Sequence, residues 1–225
     1  MFNSVWEKVY SSQSWVKYPS EDLIRFVTRH FYGKPHRNEI HLLEVGCGPG
    51  ANLWYFAREG FSFAGIDGST AAIEQATTRL NLDLPDWRTQ GSLHVGEIEN
   101  LPFKDGQFDA VIDHECVYCN STKSSMRIYR EMARVLKAGG KFFSRTYEQG
   151  SWGDQTGIRL EENYFIPSEG PLAGKGPARF SNAETLPALI DSSIHINSLE
   201  RVTSTENDRR HEVRELIITG TKRHF

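Results

Sequence analysis

A glycine-rich segment between an apolar run and a helical pattern constrains the fold of this chain more than any other feature. Residues 40–45 form a short apolar run typical of a buried strand, residues 46–50 read Gly-Cys-Gly-Pro-Gly, and residues 51–59 have helical spacing. Glycines let the backbone turn tightly and approach a ligand, and the following helix offers free N–H groups at its N-terminus. The segment therefore predicts a strand–loop–helix unit with a ligand at the loop.

Strand-like and helical segments alternate on both sides of this unit. Apolar runs at 61–66, 92–95, 108–112 and 141–147 alternate with helical patterns at 69–80 and 124–137. This order predicts an α/β fold with a doubly wound, Rossmann-like, mostly parallel sheet and helices on both faces. Runs near 194–204 and 212–220 predict a closing antiparallel β-hairpin, residues 182–191 predict a helix, and glycine-rich residues 148–180 predict a long loop.

Composition narrows the class of protein. The chain has 225 residues, a net charge of −3 and no strong basic excess, which disfavours nucleic acid as a partner. No window approaches the roughly 18 apolar residues of a membrane span, and three cysteines are too few for a disulfide scaffold. We therefore expect a single cytoplasmic domain over 1–225, without membrane association and with homodimerisation left open.

An acidic residue follows the second predicted strand. Asp67 comes 21 residues after Gly46, where a carboxylate of a doubly wound fold can accept hydrogen bonds from both hydroxyls of a ribose. Loop and acid together predict a site for a nucleoside-like cofactor. Residues 46–51 also satisfy the dinucleotide pattern G-x-G-x-x-A, which leaves an NAD-dependent oxidoreductase as an alternative.

Further motifs give the site a family resemblance. Segments 44–50, 65–69, 96–103, 105–109 and 130–141 resemble, in order and spacing, the motifs of class I S-adenosylmethionine-dependent methyltransferases of the small-molecule, type 11-like kind. The resemblance covers about residues 38–147, which would form the cofactor-binding half. Residues 1–37 would then form an N-terminal lid or helix, and residues 148–225 the acceptor side.

The resemblance implies the cofactor S-adenosylmethionine and a set of residues that hold it. An acid at position 44 would lie beside the methionine part, Asp67 would take the ribose hydroxyls, and the residues at 97 and 98 would contact the adenine. The implied cofactor-binding residues are Glu44, Gly46, Cys47, Gly48, Gly50, Asn52, Asp67, Gly68, Ser69, Glu97, Ile98 and Asp113. No metal is expected, because Cys116 and Cys119 form a lone C-x-x-C pair.

The implied reaction is transfer of a methyl group to an oxygen or nitrogen of a small molecule, a metabolite or a sugar, by in-line displacement. Such a reaction depends mostly on proximity and orientation, and it needs a base only where the acceptor carries a proton to be removed. Candidates for that base are Asp113, His114 and Glu115, of which His114 is the predicted catalytic residue because its ordinary pKa lies near neutrality. A site without any base is the alternative.

The acceptor side has no motif of its own. Aromatic residues at 6, 10, 15 and 18 indicate either a helix packed on the core or a lid over the site. The residues expected to face the acceptor are Trp15, Tyr18, Tyr118, Arg145 and Tyr147. A non-enzymatic alternative also stays open, in which the chain binds the cofactor and has lost the chemistry.

Overall fold

The computed structural model describes residues 3–12 and 17–224 of the chain. Its helices are α1 (Val5–Ser12), α2 (Glu21–Phe31), α3 (Ala51–Arg58), α4 (Thr70–Asp83) and α5 (Thr122–Val135). Its strands are β1 (His41–Val45), β2 (Ser62–Asp67), β3 (Gly91–Val95), β4 (Phe108–His114), β5 (Leu136–Tyr147), β6 (Ile158–Glu161), β7 (Tyr164–Ile166), β8 (Ala178–Arg179), β9 (Ile194–Glu206) and β10 (His211–Lys222).

The main sheet has seven strands in the order β3-β2-β1-β4-β5-β10-β9. Strands β1 to β5 pair in parallel, whereas β10 is antiparallel to both β5 and β9. The predicted doubly wound sheet and its closing hairpin are therefore confirmed. Strands β1 to β3 follow one another toward one edge of the sheet, and β4 and β5 toward the other, so the switch point lies between β1 and β4. Such a switch point opens a crevice at the carboxyl ends of the strands.

Two apolar cores cover the two faces of this sheet. On one face α2, α3 and α4 bury residues such as Phe26, Phe56 and Leu80, and on the other α5 buries Ile128 and Met132. Serine side chains begin three of these helices: Ser20, Ser69 and Ser121 each accept a hydrogen bond from a backbone N–H in the first turn.

The prediction of a long loop over 148–180 is wrong. The segment contains a three-stranded antiparallel sheet of β6, β7 and β8, which we call the small sheet, and it has an apolar core of its own. Tyr147, Phe165 and Phe180 are buried in that core. Its strands are only two to four residues long, and segments this short give little periodicity from which to predict them.

Two boundaries also differ from the sequence prediction. Instead of a helix over 182–191, the structure has one 3₁₀ turn at Leu186–Leu189, because Pro187 at the start of that turn has no N–H with which to continue a longer helix. Gly139 and Gly140, which precede the strand-like run predicted at 141–147, lie inside β5, and the pairing of β5 with β4 shifts register between Phe108 and Ala110.

Candidate active site

Two adjoining cavities lie at the carboxyl ends of the parallel strands. The first, which we call the β2/β3 cavity, is lined by Asn3, Trp6, Tyr10, Gly46, Asp67, Gly68, Gly96, Glu97, Ile98, Glu99, Glu115, Cys116, Cys119 and Asn120. The second, the β4/β5 cavity, is lined by Trp6, Tyr10, Tyr18, Pro19, Ser20, Glu44, Gly46, Cys47, Gly48, Pro49, Ala51, Asn52, His114, Glu115, Tyr118, Arg145, Tyr147, Leu172 and Lys175. Both lie where a switch point of an α/β sheet places its ligands.

The glycine loop turns at the end of β1 and is held against β2. The backbone N–H groups of Gly46 and Cys47 both donate to the carbonyl oxygen of Ile66, at 2.8 and 3.1 Å. Gly46 has a φ of +64°, and a Cβ built there would lie 1.9 Å from the Cys116 Sγ. A side chain at this position would therefore clash with the loop after β4, so the turn requires glycine.

Asp67 lies at the end of β2 and braces the same loop. One of its carboxylate oxygens accepts from the Gly48 N–H at 2.9 Å and the other from the Ser69 N–H at 2.8 Å. Each oxygen keeps a further lone pair, and the residue lines the β2/β3 cavity. Burial raises the pKa of Asp67, while the two backbone donors oppose that rise. The carboxylate is thus fixed in place and can accept hydrogen bonds from a ligand.

Glu44, in β1, has one carboxylate oxygen in use and one without a partner. Its Oε1 accepts from the Asn52 Nδ2 at 2.5 Å, whereas its Oε2 is buried and has no hydrogen-bond partner among the described residues. Burial raises the pKa of Glu44 to about 8, with a smaller contribution from the charges of Asp67 and Asp113 and an opposing one from Asn52. A buried carboxylate oxygen of this kind fits a cationic ligand group, which would satisfy it and lower that pKa.

Helix α1 forms a roof over both cavities. The Glu7 carboxylate accepts from the Ser69 hydroxyl at 2.5 Å and from the Ala71 N–H at 3.2 Å, and the Gln75 side chain donates to the Tyr10 carbonyl. A carboxylate at the first turn of α4 is also favoured by the helix dipole. Helix α1 is therefore attached to α4, and Trp6 and Tyr10 face the cavities beneath it.

Arg145 lies on the wall of the β4/β5 cavity among three carboxylates. Its guanidinium donates to both oxygens of Glu215, lies 3.2 Å from Asp22 and 3.3 Å from Glu115. Burial raises the pKa of Glu215 to about 7, the hydrogen bonds from Arg145 oppose that rise, and the charge of Glu115 adds to it. These contacts join α2, the end of β4, β5 and β10 at one point.

His114, the last residue of β4, also lines the β4/β5 cavity. Its Nε2 lies 2.9 Å from the Ser20 Oγ, and its ring stacks on Phe143. Burial lowers the pKa of His114 to about 4, helped by the positive charge of Arg145. The ring is therefore neutral at pH 7, and its hydrogen bond to Ser20 connects β4 to the start of α2.

The structure does not bring Asp113 or Gly50 to the cavities. Asp113 is fully buried and accepts hydrogen bonds from the Cys116 N–H, the Val117 N–H and the Ser144 hydroxyl. A carboxylate with these partners holds the turn after β4 and lines neither cavity, and its contact with the cofactor stays a prediction. Gly50 instead starts α3 and packs against α4, where a Cβ would lie 2.9 Å from the Ala76 Cβ.

Most of the remaining predicted residues line a cavity. Nine do so: Tyr18, Cys47, Gly48, Asn52, Gly68, Glu97, Ile98, Tyr118 and Tyr147. Ser69 lines neither cavity, is fully buried and caps α4. Tyr18 stands at the mouth, 69% exposed and edge-on to Trp54. Trp15 lies outside the described residues.

Sequence reasoning missed several residues that the structure places in the site. Lys175 and Leu172, from the segment between β7 and β8, line the β4/β5 cavity. No motif marks either residue, and the folding of the small sheet alone brings them there. Trp6 and Tyr10 carried a signal in the aromatic N-terminal pattern, although Trp15 and Tyr18 were the residues predicted from it.

The comparisons with known proteins agree with this architecture. Residues 43–144 match a family model described as a methyltransferase domain. Over 127 residues the chain is 32% identical to an 18S rRNA (guanine-N(7))-methyltransferase of Bos taurus, covering 52% of this chain and 42% of that protein. Over 114 residues it is 35% identical to phthiotriol/phenolphthiotriol dimycocerosates methyltransferase 1 of Mycobacterium ulcerans, covering 47% and 39%. These matches span less than half the length of those two relatives.

A solved structure extends the likeness in fold beyond the matched domain. A SAM-dependent methyltransferase from Methanosarcina mazei superimposes with a TM-score of 0.67 and 22% sequence identity, covering 82% of this chain and 93% of that one. Residues 43–144 are therefore similar to a methyltransferase domain, and the solved structure shows that most of the chain has the fold of such enzymes. These matches support the predicted family and cofactor over the NAD alternative.

The kind of acceptor is not fixed by these comparisons, since one relative is named for an 18S rRNA and the other for phthiotriol/phenolphthiotriol dimycocerosates. The expectation that nucleic acid is not a partner thus stays a prediction. No described helix combines the length and the apolarity needed to cross a bilayer.

Proposed function

We propose that the protein transfers a methyl group from S-adenosylmethionine to an oxygen or nitrogen atom of a small-molecule acceptor, a metabolite or a sugar. The observation that carries this proposal is the β4/β5 cavity, which adjoins the β2/β3 cavity and is walled by α1, by residues 18–20 and by the small-sheet segment. A chamber with such walls suits a small molecule better than a long polymer.

The residues present fit the cofactor. The buried Glu44 Oε2 would receive the ammonium of the methionine part, the loop of Gly46 and Gly48 would take its backbone, and Asp67 would accept from the ribose hydroxyls. Glu97 and Ile98, after β3, would face the adenine. When bound, the cofactor supplies a methyl group already activated by a sulfonium, so the protein's own task is to orient the acceptor and exclude water.

The charges of the β4/β5 cavity support a small acceptor over RNA. A protein that binds RNA neutralises phosphates with lysine and arginine side chains. Arg145 is already bound to Glu215 and lies close to Asp22 and Glu115, so its charge is balanced within the protein. The wall of this cavity is therefore mixed in sign rather than basic.

The catalytic role of His114 stays a prediction. A neutral ring on the cavity wall can accept a proton, but a pKa of about 4 makes it a weak base. We expect His114→Ala to lower turnover and leave cofactor affinity nearly unchanged, and unchanged turnover would remove His114 from the mechanism.

The first experiment is thermal unfolding with S-adenosylhomocysteine or with NAD⁺. A ligand at 100-fold over its Kd adds roughly 2.7 kcal/mol to the free energy of unfolding, which gives a clear shift in Tm. We expect stabilisation by S-adenosylhomocysteine alone, and a smaller shift in Asp67→Ala. The matched control is Asp86→Ala, since Asp86 is exposed and lines neither cavity. Stabilisation by NAD⁺ alone would contradict the proposal.

The second experiment tests the acceptor. Protein and isotopically labelled S-adenosylmethionine are incubated with a small-metabolite extract and, separately, with total RNA. Label in a small molecule supports the proposal, and label in RNA alone would contradict it. Cofactor binding without transfer to either fraction would favour a binding module without activity.

A further inference from the structure

We propose that the acceptor is an amine and that Glu115 binds its nitrogen beside the methyl group to be transferred. This inference rests on the proposed function and narrows its oxygen-or-nitrogen acceptor to nitrogen. The evidence for it is the junction of the two cavities, the backbone conformation of Glu115 at this junction, and the side chains that line the β4/β5 cavity.

Four residues line both cavities and so define their junction: Trp6, Tyr10, Gly46 and Glu115. With the nucleoside part of the cofactor in the β2/β3 cavity and the acceptor in the β4/β5 cavity, the methyl group must cross at this junction. Burial raises the pKa of Tyr10 strongly, so its hydroxyl is neutral. Glu115 therefore provides the carboxylate of the junction among the described residues.

The backbone fixes Glu115 in that position. The backbone of Glu115 has a φ of +59°, in the left-handed region that residues other than glycine and asparagine seldom adopt. Its N–H donates to the Arg145 carbonyl oxygen at 3.1 Å, and its Oε1 lies 3.3 Å from the Arg145 Nε. Uncommon backbone conformations of this kind occur most often at functional sites, where the surrounding structure maintains them.

Four aromatic rings line the β4/β5 cavity together with Glu115. Trp6 and Tyr10 lie with their ring centroids 5.5 Å apart in the roof, and Tyr118 and Tyr147 lie edge-to-face with centroids 5.0 Å apart in the wall. All four line the β4/β5 cavity. Aromatic faces together with a carboxylate form the arrangement that recognises ammonium groups, through cation–π attraction and a charge-assisted hydrogen bond.

The cation nearest to Glu115 does not oppose a positively charged ligand. Arg145 lines the β4/β5 cavity, and its guanidinium donates to both oxygens of Glu215, so its charge is balanced within the protein.

The acceptor binds as an ammonium on Glu115 and gives one proton to that carboxylate, which passes it to solvent. The freed nitrogen lone pair forms the bond to the methyl carbon while the carbon–sulfur bond of the cofactor breaks, and that electron pair stays on sulfur as a neutral thioether. Glu115 is thus a catalytic residue that touches the reacting nitrogen.

The test compares an amine with its matched alcohol. Tyramine and tyrosol differ only in an amino group against a hydroxyl group, and their binding to the protein saturated with S-adenosylhomocysteine is measured by calorimetry. We expect wild type to bind tyramine at least about tenfold more tightly than tyrosol. Glu115→Gln keeps the shape and removes the charge, and should abolish that preference.

Asp22→Asn is the matched control, because Asp22 also contacts Arg145 but does not line either cavity. It should keep the preference for tyramine. Unliganded Tm values check that both variants fold, and S-adenosylhomocysteine affinity checks the cofactor site separately. If wild type does not bind S-adenosylhomocysteine, the proposed function itself is overturned.

With the cofactor site intact, three results overturn the amine inference alone. In the first, wild type binds tyramine and tyrosol equally, or binds neither at millimolar concentration. In the second, Glu115→Gln still prefers tyramine. In the third, Glu115→Gln and Asp22→Asn lose the preference for tyramine to the same extent. This third result would mean that Glu115 acts only by holding Arg145.

Discussion

The two cavities are built in different ways. Outside the roof, the β2/β3 cavity is lined by loops that follow β1, β2, β3 and β4, so its residues come from one continuous part of the chain. The β4/β5 cavity gathers Ser20, His114, Arg145 and Lys175 from four distant segments. The first can be recognised in a sequence because spacing along the chain defines it. The second exists only once the small sheet and α2 have packed against the sheet edge.

The largest expected effect tests whether these two regions are separable. Phe180 is fully buried in the core of the small sheet. We expect Phe180→Ala to lower the free energy of unfolding by roughly 3–5 kcal/mol, and to weaken acceptor binding far more than S-adenosylhomocysteine binding. Urea unfolding and calorimetry measure the two effects.

The matched control for Phe180→Ala is Ile158→Ala in the same small sheet. Ile158 is 62% exposed, and surface changes of this kind are usually within about 0.5 kcal/mol. An equal loss of S-adenosylhomocysteine affinity and acceptor affinity in Phe180→Ala would show that the two regions act as one unit.

A smaller effect is expected from a methyl group in the glycine loop. Gly46→Ala would place its Cβ against the Cys116 Sγ and impose a left-handed φ on alanine, and overpacking of this kind costs about 1–3 kcal/mol. We expect S-adenosylhomocysteine binding to be lost with it. Gly33→Ala has open space around its Cβ and should leave both the urea midpoint and the affinity unchanged. Retained binding in Gly46→Ala would mean that the loop adapts.

A pH-dependent effect is expected from Glu44. Because its pKa is about 8 in the folded protein and near 4.5 when unfolded, the folded state holds more protons between those values. The free energy of unfolding of the ligand-free protein should therefore fall as the pH rises from about 5 to about 8. Glu215, whose pKa is also raised, contributes to this fall with the same sign.

Glu44→Gln should make that slope shallower, which urea unfolding at several pH values measures. Because a bound ammonium favours the charged carboxylate, S-adenosylhomocysteine affinity in wild type should rise with pH over the same range. An unchanged slope in Glu44→Gln would show that this carboxyl is already ionised at lower pH.

The smallest effect concerns the roof that the two regions share. Glu7→Gln removes a charge from the first turn of α4, and such a charge contributes about 0.3–1 kcal/mol. We expect S-adenosylhomocysteine to dissociate a few times faster with little change in Tm, as stopped-flow measurement would show. Glu21→Gln, at the start of α2, is the control, and an equal effect there would exclude a specific role for Glu7.

The difference between the two cavities also explains which features the sequence could predict. The alternation of strands and helices and the loop of residues 46–50 followed from local patterns, because parallel strands and phosphate- or nucleoside-binding turns have fixed local chemistry. The small sheet did not, because its strands of two to four residues owe their existence to packing around Phe180 and Tyr147.

Asp67 and Asp113 show most clearly what the sequence could not predict. Asp113 stands at the end of a strand like Asp67, and sequence alone gave both the same kind of role. The structure separates them: Asp67 lines the β2/β3 cavity, whereas Asp113 is fully buried and bonded to the Ser144 hydroxyl. Which way a carboxylate points depends on its hydrogen-bond partners in three dimensions, and these lie on elements far away in the chain.

The attachment of α1 has a consequence for access to both cavities. Because Trp6 and Tyr10 line both of them, a movement of α1 would change access to the two at the same time. Under the proposed function, release of both products by such a movement would make the first turnover faster than all later ones.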